Sequence, residues 1–295
     1  MRLNIGDKKY KDIKLASILG IVGNLFLLII KSIIGFITNS QAMIADSFNS
    51  AGDIFSSVMT YVGNKIASKP SDDDHNLGHG KAEYIYSMFI SIIMFMMTYS
   101  IISGSITSFF HPEKYIFSWG LIVVCLITIF VKSILYFYTR RLYKKYNNLL
   151  LDANSKDHRN DCLLTSLNLV ACVFSLNGVY FVDGIVGILI GIWIFISAYE
   201  IFKQSYDVLM DKCISDDTKQ KVYEIIARHK EIKNVIHFNS TPVGYQYQIS
   251  FTIFVDGNMS TFDSHKIAND LEKEIDKEIE EVFLTVIHVN PIEID

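Results

Sequence analysis

Two pairs of polar residues interrupt long apolar segments of this chain, and both pairs have the types and spacing of metal ligands. Asn49 and Asp53 form the first pair, and Asp157 and Asp161 form the second. Residues four apart lie on the same face of an α-helix, so both members of each pair point in one direction. Two such helices facing each other would present three carboxylates and one amide oxygen. This all-oxygen set favours a hard divalent cation such as Mn²⁺ over Zn²⁺ or Cu⁺.

The composition is typical of a membrane protein. Of the 295 residues, 50% are hydrophobic and 20% are charged, and the mean hydropathy is +0.28. Apolar stretches of about 20 residues, each long enough to cross a ~30 Å hydrocarbon core, cover positions 15–37, 40–66, 83–109, 115–138, 161–180 and 184–206. Carboxylates inside such segments are costly and persist mainly where they bind or pass an ion. The pattern therefore predicts six transmembrane helices with a divalent metal site between them.

The distribution of basic residues predicts the orientation in the lipid membrane. Lys and Arg concentrate before the first span and after the second and fourth: Arg2, Lys8, Lys9, Lys11, Lys14, Lys65, Lys69, Lys81, Arg140, Arg141, Lys144 and Lys145. The opposite connections carry Lys114 alone. Because basic loops stay on the cytoplasmic side, both termini are expected in the cytoplasm. The basic leader lacks a small-residue cleavage site, so no removable signal peptide is expected.

From about position 208 the chain becomes charged and the spacing of its apolar residues becomes mixed. This change predicts a membrane domain over 1–207 and a cytoplasmic domain over 208–295. Helical spacing is expected over Ser215–His229 and Asp263–Ile279. Strand-like alternation is expected over Asn234–Asn239, Tyr245–Val255 and Phe283–Val289. The order αββαβ predicts a ferredoxin-like layered α/β domain.

Several function classes are disfavoured by what the sequence lacks. The cysteines form no CxxC pair, so neither a disulfide framework nor a thiolate metal site is indicated. No basic patch with interleaved aromatic residues points to nucleic acid. No HExxH-type motif supports a membrane metalloenzyme, so we do not expect an enzyme. A membrane metal sensor would not need carboxylates in two spans, and a channel would conduct poorly through a strongly coordinating site.

Three local segments resemble the cation diffusion facilitator family: SQAMIADSFNSAGDIFSS, SDDDHNLGHGKAEY and DANSKDHRNDCL. The resemblance extends over essentially the whole chain. It implies a homodimer with six transmembrane helices and a small αββαβ cytoplasmic domain. It also implies export of a cytosolic divalent metal in exchange for protons, and we expect this to take place in the cell (plasma) membrane.

The resemblance places the transported metal on Asn49, Asp53, Asp157 and Asp161. Zinc-transporting members typically have a histidine in one or both pairs, whereas one asparagine with three aspartates resembles the manganese-transporting branch. The absence of imidazole at these positions independently favours Mn²⁺. A broad exporter of Zn²⁺, Fe²⁺, Co²⁺ or Cd²⁺ remains the alternative, because specificity is only a difference of affinities.

His158 would support the broad-specificity alternative. One residue along a helix turns the side chain by ~100°, so we expect His158 to face away from Asp157 and Asp161. Asp46, close to one turn before Asn49, is expected to act through water at most. A purely structural alternative is that intramembrane Asn and Asp residues only hydrogen-bond between helices.

The two pairs sit at different depths in the predicted spans. Asp157 and Asp161 begin an apolar stretch, whereas Asn49 and Asp53 lie well inside theirs. The fifth helix is therefore expected to begin earlier, near Leu150. The site would then be reached through a water-filled cytoplasmic cavity.

Further positions match metal ligands of some family members. In the loop after the second span these are Asp72, His75 and His79. The histidines could share one face only in a helical loop, which the nearby glycines disfavour. The alternative is a solvated acidic turn. By the same resemblance, Lys81 bridges to Asp211 and couples the cytoplasmic domain to the membrane helices.

The cytoplasmic domain carries three more histidines that match a binuclear site of some zinc-transporting relatives: His237, His265 and His288. Ser250 or Thr252 stands where a further histidine is expected, and Asn290 where an aspartate is common. A complete binuclear site is therefore not expected. The alternative is that the three are ordinary surface or interface residues.

Overall fold

Six long helices form the first part of the chain in this computed structural model, which describes residues 2–37, 41–110, 119–176, 182–244 and 246–292. The helices are α1 (Arg2–Ile37), α2 (Gln41–Ala67), α3 (Ala82–Phe110), α4 (Trp119–Tyr146), α5 (Leu149–Leu176) and α6 (Val182–Leu209). Among the described residues, four segments are long and apolar enough to cross a membrane: Lys8–Ile34, Ala82–Thr107, Ile122–Tyr146 and Gly187–Leu209. The other two long helices, α2 and α5, carry the polar pairs. Each of the six predicted transmembrane spans overlaps one of these helices.

The start of α5 confirms the expectation drawn from the depth of the acids. The helix begins at Leu149, after a short connection in which Asn147 adopts a left-handed conformation (φ 46°). Asn148 Oδ1 accepts a hydrogen bond from the Leu151 N–H at 3.1 Å, and Glu83 Oε1 accepts from the Leu149 N–H at 2.6 Å. Both contacts satisfy amides that have no partner within the first turn. Asp157 and Asp161 therefore lie inside the helix and not at its start.

The C-terminal part has the predicted order αββαβ. Its elements are α7 (Asp216–Ile226), β1 (Asn234–Val243), β2 (Gln246–Asp256), α8 (Thr261–Glu278) and β3 (Val282–Ile292). Ser215 and Ser260 cap the two helices, since their side chains accept from Thr218 N–H and Asp263 N–H respectively. In the sheet, β2 is central and pairs antiparallel with β1 and parallel with β3.

One apolar core holds the helices of this part against the sheet. The inward faces of β2 and of both helices supply most of it: Val222, Ile225, Ile226, Ile249, Phe251, Ile253, Val255, Leu271 and Ile275. The alternation along β2 predicted this face, because successive strand residues point to opposite sides. Helices on one face of a three-stranded mixed sheet confirm the ferredoxin-like class.

The chain divides into two compact units. The first comprises Met1–Lys69 and Ala82–Tyr206, and the second comprises Pro70–Lys81 and Asp207–Asp295. The loop between α2 and α3 thus belongs to the second unit, whereas the sequence-based division at 207/208 assigned it to the membrane domain.

Candidate metal centre

One face of α2 carries a row of buried polar side chains. Ser50, Asp53, Ser57, Thr60 and Asn64 recur every three or four residues, so they share one helical face. None is more than 4% exposed. A polar stripe of this length is costly inside a membrane helix unless it binds water, ions or other polar groups.

On α5, the second predicted pair lies on a buried face. Asp157 is 2% exposed and Asp161 is 8% exposed. One ligand atom from each of Asp157, His158 and Asp161 lies within 4.8 Å of the other two. These three residues therefore form a compact cluster of groups that can bind a metal ion.

The Lys132 ammonium, from α4, joins the two predicted pairs. Its Nζ donates to Asp53 Oδ2 at 2.6 Å and also donates to Asp161 Oδ2. Lys132 is fully buried. Asp53 of α2 and Asp161 of α5 therefore lie around one cationic group, as two ligands of a shared ion would.

Sequence reasoning missed Lys132. Its signal was present, because it is a single cation within the apolar run IVVCLITIFVKSILYF of the fourth span. Ionisable residues inside a membrane segment face the bundle interior and pair with one another. A lysine there, with acids in two other spans, already predicts a charge pair.

The position of His158 corrects the expectation that it faces away from the acids. It is fully buried, and one of its ring nitrogens belongs to the 4.8 Å cluster. The 100° rotation fixes only the direction in which Cβ leaves the helix. The χ1 and χ2 angles of His158 and of the two aspartates decide where their ligand atoms lie, so these atoms can come close together although the Cβ atoms leave the helix in different directions.

Several ligand atoms of this centre are buried without a partner. Within the described part of the chain, Asp53 Oδ1, Asp157 Oδ2 and both ring nitrogens of His158 make no hydrogen bond. Buried polar atoms are satisfied in the great majority of cases, and each exception calls for a water, an ion or a functional role. The donor set fits a divalent cation, since two of these atoms are carboxylate oxygens.

Of the predicted first pair, only Asp53 can be described in full. Asn49 lies in α2 one turn before Asp53, but its side chain is outside the described residues, as is that of Asp46. The amide oxygen of Asn49 as a fourth ligand therefore stays a prediction.

A pocket reaches the α5 side of the centre. It is lined by Met94, Met97, Ile101, Asp157, Asn160, Asp161, Leu164 and Ile194. Two acids and one amide among otherwise apolar lining residues mark a place where an ion can meet carboxylates in a low-dielectric setting.

The loop of the second unit brings Asp72, His75 and His79 together without a helix. Asp72 Oδ1 lies 3.1 Å from His75 Nδ1, and Asp72 Oδ2 lies 3.4 Å from His79 Nε2. Gly78, at φ 78°, permits the tight turn in which its N–H donates to the His75 carbonyl. Desolvation acts to raise the pKa of Asp72, but the hydrogen bonds from His75 and the charges of His79 and His75 together lower it below its ordinary value. The trio has ligand geometry, and metal binding there stays a prediction.

The predicted contact between Lys81 and Asp211 is present inside the second unit. Lys81 Nζ donates to Asp211 Oδ1 at 2.6 Å. Asp211 follows the end of α6 in a left-handed conformation (φ 54°), which aspartate tolerates better than most residues. Its role in coupling the cytoplasmic domain to the membrane helices stays a prediction.

The three predicted histidines of the C-terminal part, His237, His265 and His288, do not form a cluster within the described residues of one chain. His237 lies at a bulge of β1 with φ 55°, His265 lies on α8 and His288 lies on β3, and all three are exposed. This arrangement agrees with ordinary surface or interface residues.

Comparison with known proteins identifies the family to which the chain belongs. Residues 17–210 match the cation efflux transmembrane domain, and residues 214–292 match the cytoplasmic domain of cation efflux proteins. The uncharacterized transporter MJ0449 of Methanocaldococcus jannaschii is 29% identical over 96% of this chain and 100% of its own length. Of two manganese efflux system proteins of Bacillus subtilis, MneP is 26% identical over 93% of this chain and 95% of its own length. MneS is 29% identical over 97% of this chain and 99% of its own length.

Buried carboxylates of α2 and α5 thus surround one cation inside a domain that matches a transport family over most of its length. The chain belongs to the cation efflux family, the cation diffusion facilitators, and is a multi-pass membrane transporter of metal ions and not an enzyme.

Proposed function

We propose that this protein exports Mn²⁺ from the cytosol across the plasma membrane in exchange for protons. It works as a homodimer with both termini in the cytoplasm. The observation that carries the proposal is that Asp53 and Asp161, from two different helices, accept hydrogen bonds from one ammonium group. Side chains that converge on one cation are already placed to share another.

Ligand chemistry supports manganese. Asp53, Asp157 and Asp161 offer carboxylate oxygens, and Asn49 adds an amide oxygen at the matching position of α2. Carboxylate and carbonyl oxygens suit Mn²⁺, Mg²⁺ and Ca²⁺, whereas imidazole and thiolate favour Zn²⁺. Two relatives over nearly the whole chain are called manganese efflux system proteins.

The proposed exchange uses the same carboxylates for metal and for protons. Clustered carboxylates repel one another unless a cation or protons neutralise part of their charge. Metal entering from the cytosol displaces these protons, the helices move so that the site faces outward, and external protons displace the metal. Alternating access of this kind needs ligands on two helices that can move against each other.

Transport by the purified protein in proteoliposomes tests the metal. Strong Mn²⁺ flux with little Zn²⁺ flux, together with gained Zn²⁺ flux in Asp157→His, would support an all-oxygen selectivity site. Zn²⁺ flux equal to or above Mn²⁺ flux in the unmodified protein would overturn the manganese proposal. Asp157→Asn is the matched control, because it removes the charge without adding imidazole.

An imposed pH gradient tests the exchange. Mn²⁺ flux should rise when the side that receives the metal is made acidic and fall when the gradient is reversed. Flux that does not respond to either gradient would overturn proton exchange while leaving metal transport intact.

A second candidate function is a broad exporter of Zn²⁺, Fe²⁺, Co²⁺ or Cd²⁺. The position of His158 favours it, since this buried imidazole has a nitrogen in the cluster with Asp157 and Asp161. His158→Gln separates the two candidates. Under the manganese proposal the variant keeps its Mn²⁺ flux, whereas under the broad proposal it loses Zn²⁺ flux selectively.

A further inference from the structure

We infer that Lys132 is a tethered cation that competes with the transported metal for Asp53 and Asp161. Its charge weakens metal binding enough for the ion to be released. The inference rests on the proposed function in one respect, namely that these acids bind a transported divalent cation.

The first observation is the position of the ammonium. Lys132 lies on α4, whereas its two partners lie on α2 and α5. It is fully buried, and Asp53 is 2% exposed. An ammonium group held between two helices by one carboxylate from each stands where a shared metal ion would also have to stand.

The second observation is which oxygens remain free for a metal. Lys132 holds Oδ2 of Asp53 and Oδ2 of Asp161. Within the described residues, Asp53 Oδ1 and Asp157 Oδ2 have no hydrogen-bond partner. Each of these two atoms is therefore available to an incoming cation before the lysine moves.

The third observation is a place for the displaced ammonium. Thr128 lies four residues before Lys132 on α4, so the two share a face. Its hydroxyl is fully buried and makes no hydrogen bond to any group the structure describes. The long stem of lysine allows its ammonium to turn toward such an acceptor without movement of the helix.

Competition follows from elementary electrostatics. A divalent ion coordinated by the carboxylates would lie a few ångströms from the ammonium, and like charges repel strongly in a low-dielectric interior. The lysine must move away or the metal must bind more weakly. When the metal leaves, the ammonium returns and the carboxylates are again paired, which lowers the cost of the emptied site.

Equilibrium Mn²⁺ binding to the purified full-length protein tests the inference. Lys132→Met should bind Mn²⁺ roughly tenfold tighter or more, because a repulsive charge is removed from a buried site. Its Mn²⁺ flux in proteoliposomes should fall, because release slows. Lys132→Arg, which keeps the charge, should bind Mn²⁺ much as the unmodified protein does.

Lys145→Met is the matched control, since it removes another ion-paired lysine of α4, one that pairs with Asp12 at 3.0 Å. It should leave Mn²⁺ affinity unchanged. If Lys132→Met binds Mn²⁺ no tighter than the unmodified protein, the inference is overturned, while normal binding by the unmodified protein leaves the proposed function standing. The proposed function itself fails on a different result. In that case the unmodified protein has no Mn²⁺ or Zn²⁺ site that the Asp157→Asn substitution removes.

Folding of the variant is also decisive. Loss of Lys132 leaves two buried carboxylates without their partner, which is destabilising. If Lys132→Met folds only when purified with Mn²⁺, the metal replaces the ammonium and the inference is supported. A variant that stays unfolded with Mn²⁺ present shows that the lysine is required alongside the metal, which overturns competition.

Discussion

Asp53 Oδ2 accepts a hydrogen bond from Lys132 Nζ at 2.6 Å, although both side chains are buried in the first unit. The first prediction concerns this aspartate. Asp53→Asn keeps the size of the side chain but removes one of the three carboxylates proposed as ligands. Because even groups that only support a ligand contribute about 10–100-fold to metal affinity, we expect at least that loss in Mn²⁺ transport.

The control for this prediction is Asp12→Asn. Asp12 also pairs with a lysine of α4 and is hydrogen-bonded by Tyr146 at 2.5 Å, but it is only partly buried. Its amide variant should retain Mn²⁺ transport. Proteoliposome flux per folded protein is the measurement, and undiminished flux in Asp53→Asn would remove Asp53 from the site.

Much of the architecture could be predicted from the sequence, since it depends on the composition and on the spacing of apolar residues. Burial of one face gives β2 its alternation and α8 its row of apolar residues, and both patterns are local. The beginning of α5 near Leu150 was predictable from the need to place Asp157 and Asp161 at the depth of Asp53. The observed start is Leu149.

The rest of the site depends on contacts that no local pattern encodes. That Lys132 reaches Asp53 and Asp161 is decided by how α5 packs against both α4 and α2. The expectation that His158 faces away rested on the rotation per residue along a helix. That rotation gives the direction of Cβ and not the position of the ring nitrogens. The meeting of His75 and His79 depends on a turn at Gly78 and not on helical spacing.

A second prediction concerns Lys81 and Asp211. Reversal of either charge, in Lys81→Asp or Asp211→Lys, should reduce Mn²⁺ flux, and the double reversal should restore much of it. The pair is largely exposed, so its direct contribution to stability is only about 0–1 kcal/mol. A large loss of flux with little change in melting temperature would therefore indicate a role in transport.

Asp211→Asn refines this test. Lysine tolerates the left-handed backbone at position 211 poorly, whereas asparagine adopts it readily. The asparagine variant therefore removes the charge without backbone strain. If it transports as well as the unmodified protein, the ion pair does not support transport, and any defect of Asp211→Lys reflects strain.

A third prediction concerns the packing of α2 against α3 and α5. A Cβ at Gly63 would lie 2.7 Å from Tyr86 Cβ and 3.1 Å from Leu150 Cδ1. Such overpacking costs about 1–3 kcal/mol, so Gly63→Ala should lower the melting temperature in detergent. Gly104→Ala is the control, because a Cβ there meets nothing within 4 Å. Equal melting temperatures for the two variants would contradict the close approach of the helices.

The last prediction concerns pH and the second unit, where Glu274 joins α8 to the end of α7. The carboxylate lies 2.9 Å from His229 Nε2 and 2.7 Å from Arg228 Nη1. The hydrogen bond from His229, and then that from Arg228, lower the pKa of Glu274 below its ordinary value. A lowered pKa in the folded state gives stability that is fully present above the unfolded pKa of about 4.3 and lost as the pH falls through the folded value.

Calorimetry of the full-length protein should therefore show that Glu274→Gln melts at a lower temperature than the unmodified protein at pH 7. The difference in melting temperature should close under acid conditions. Asp276→Asn, at an exposed position of the same helix, is the control and should melt at the same temperature as the unmodified protein at pH 7. If the difference in melting temperature for Glu274→Gln persists or widens in acid, the lowered pKa of Glu274 is contradicted.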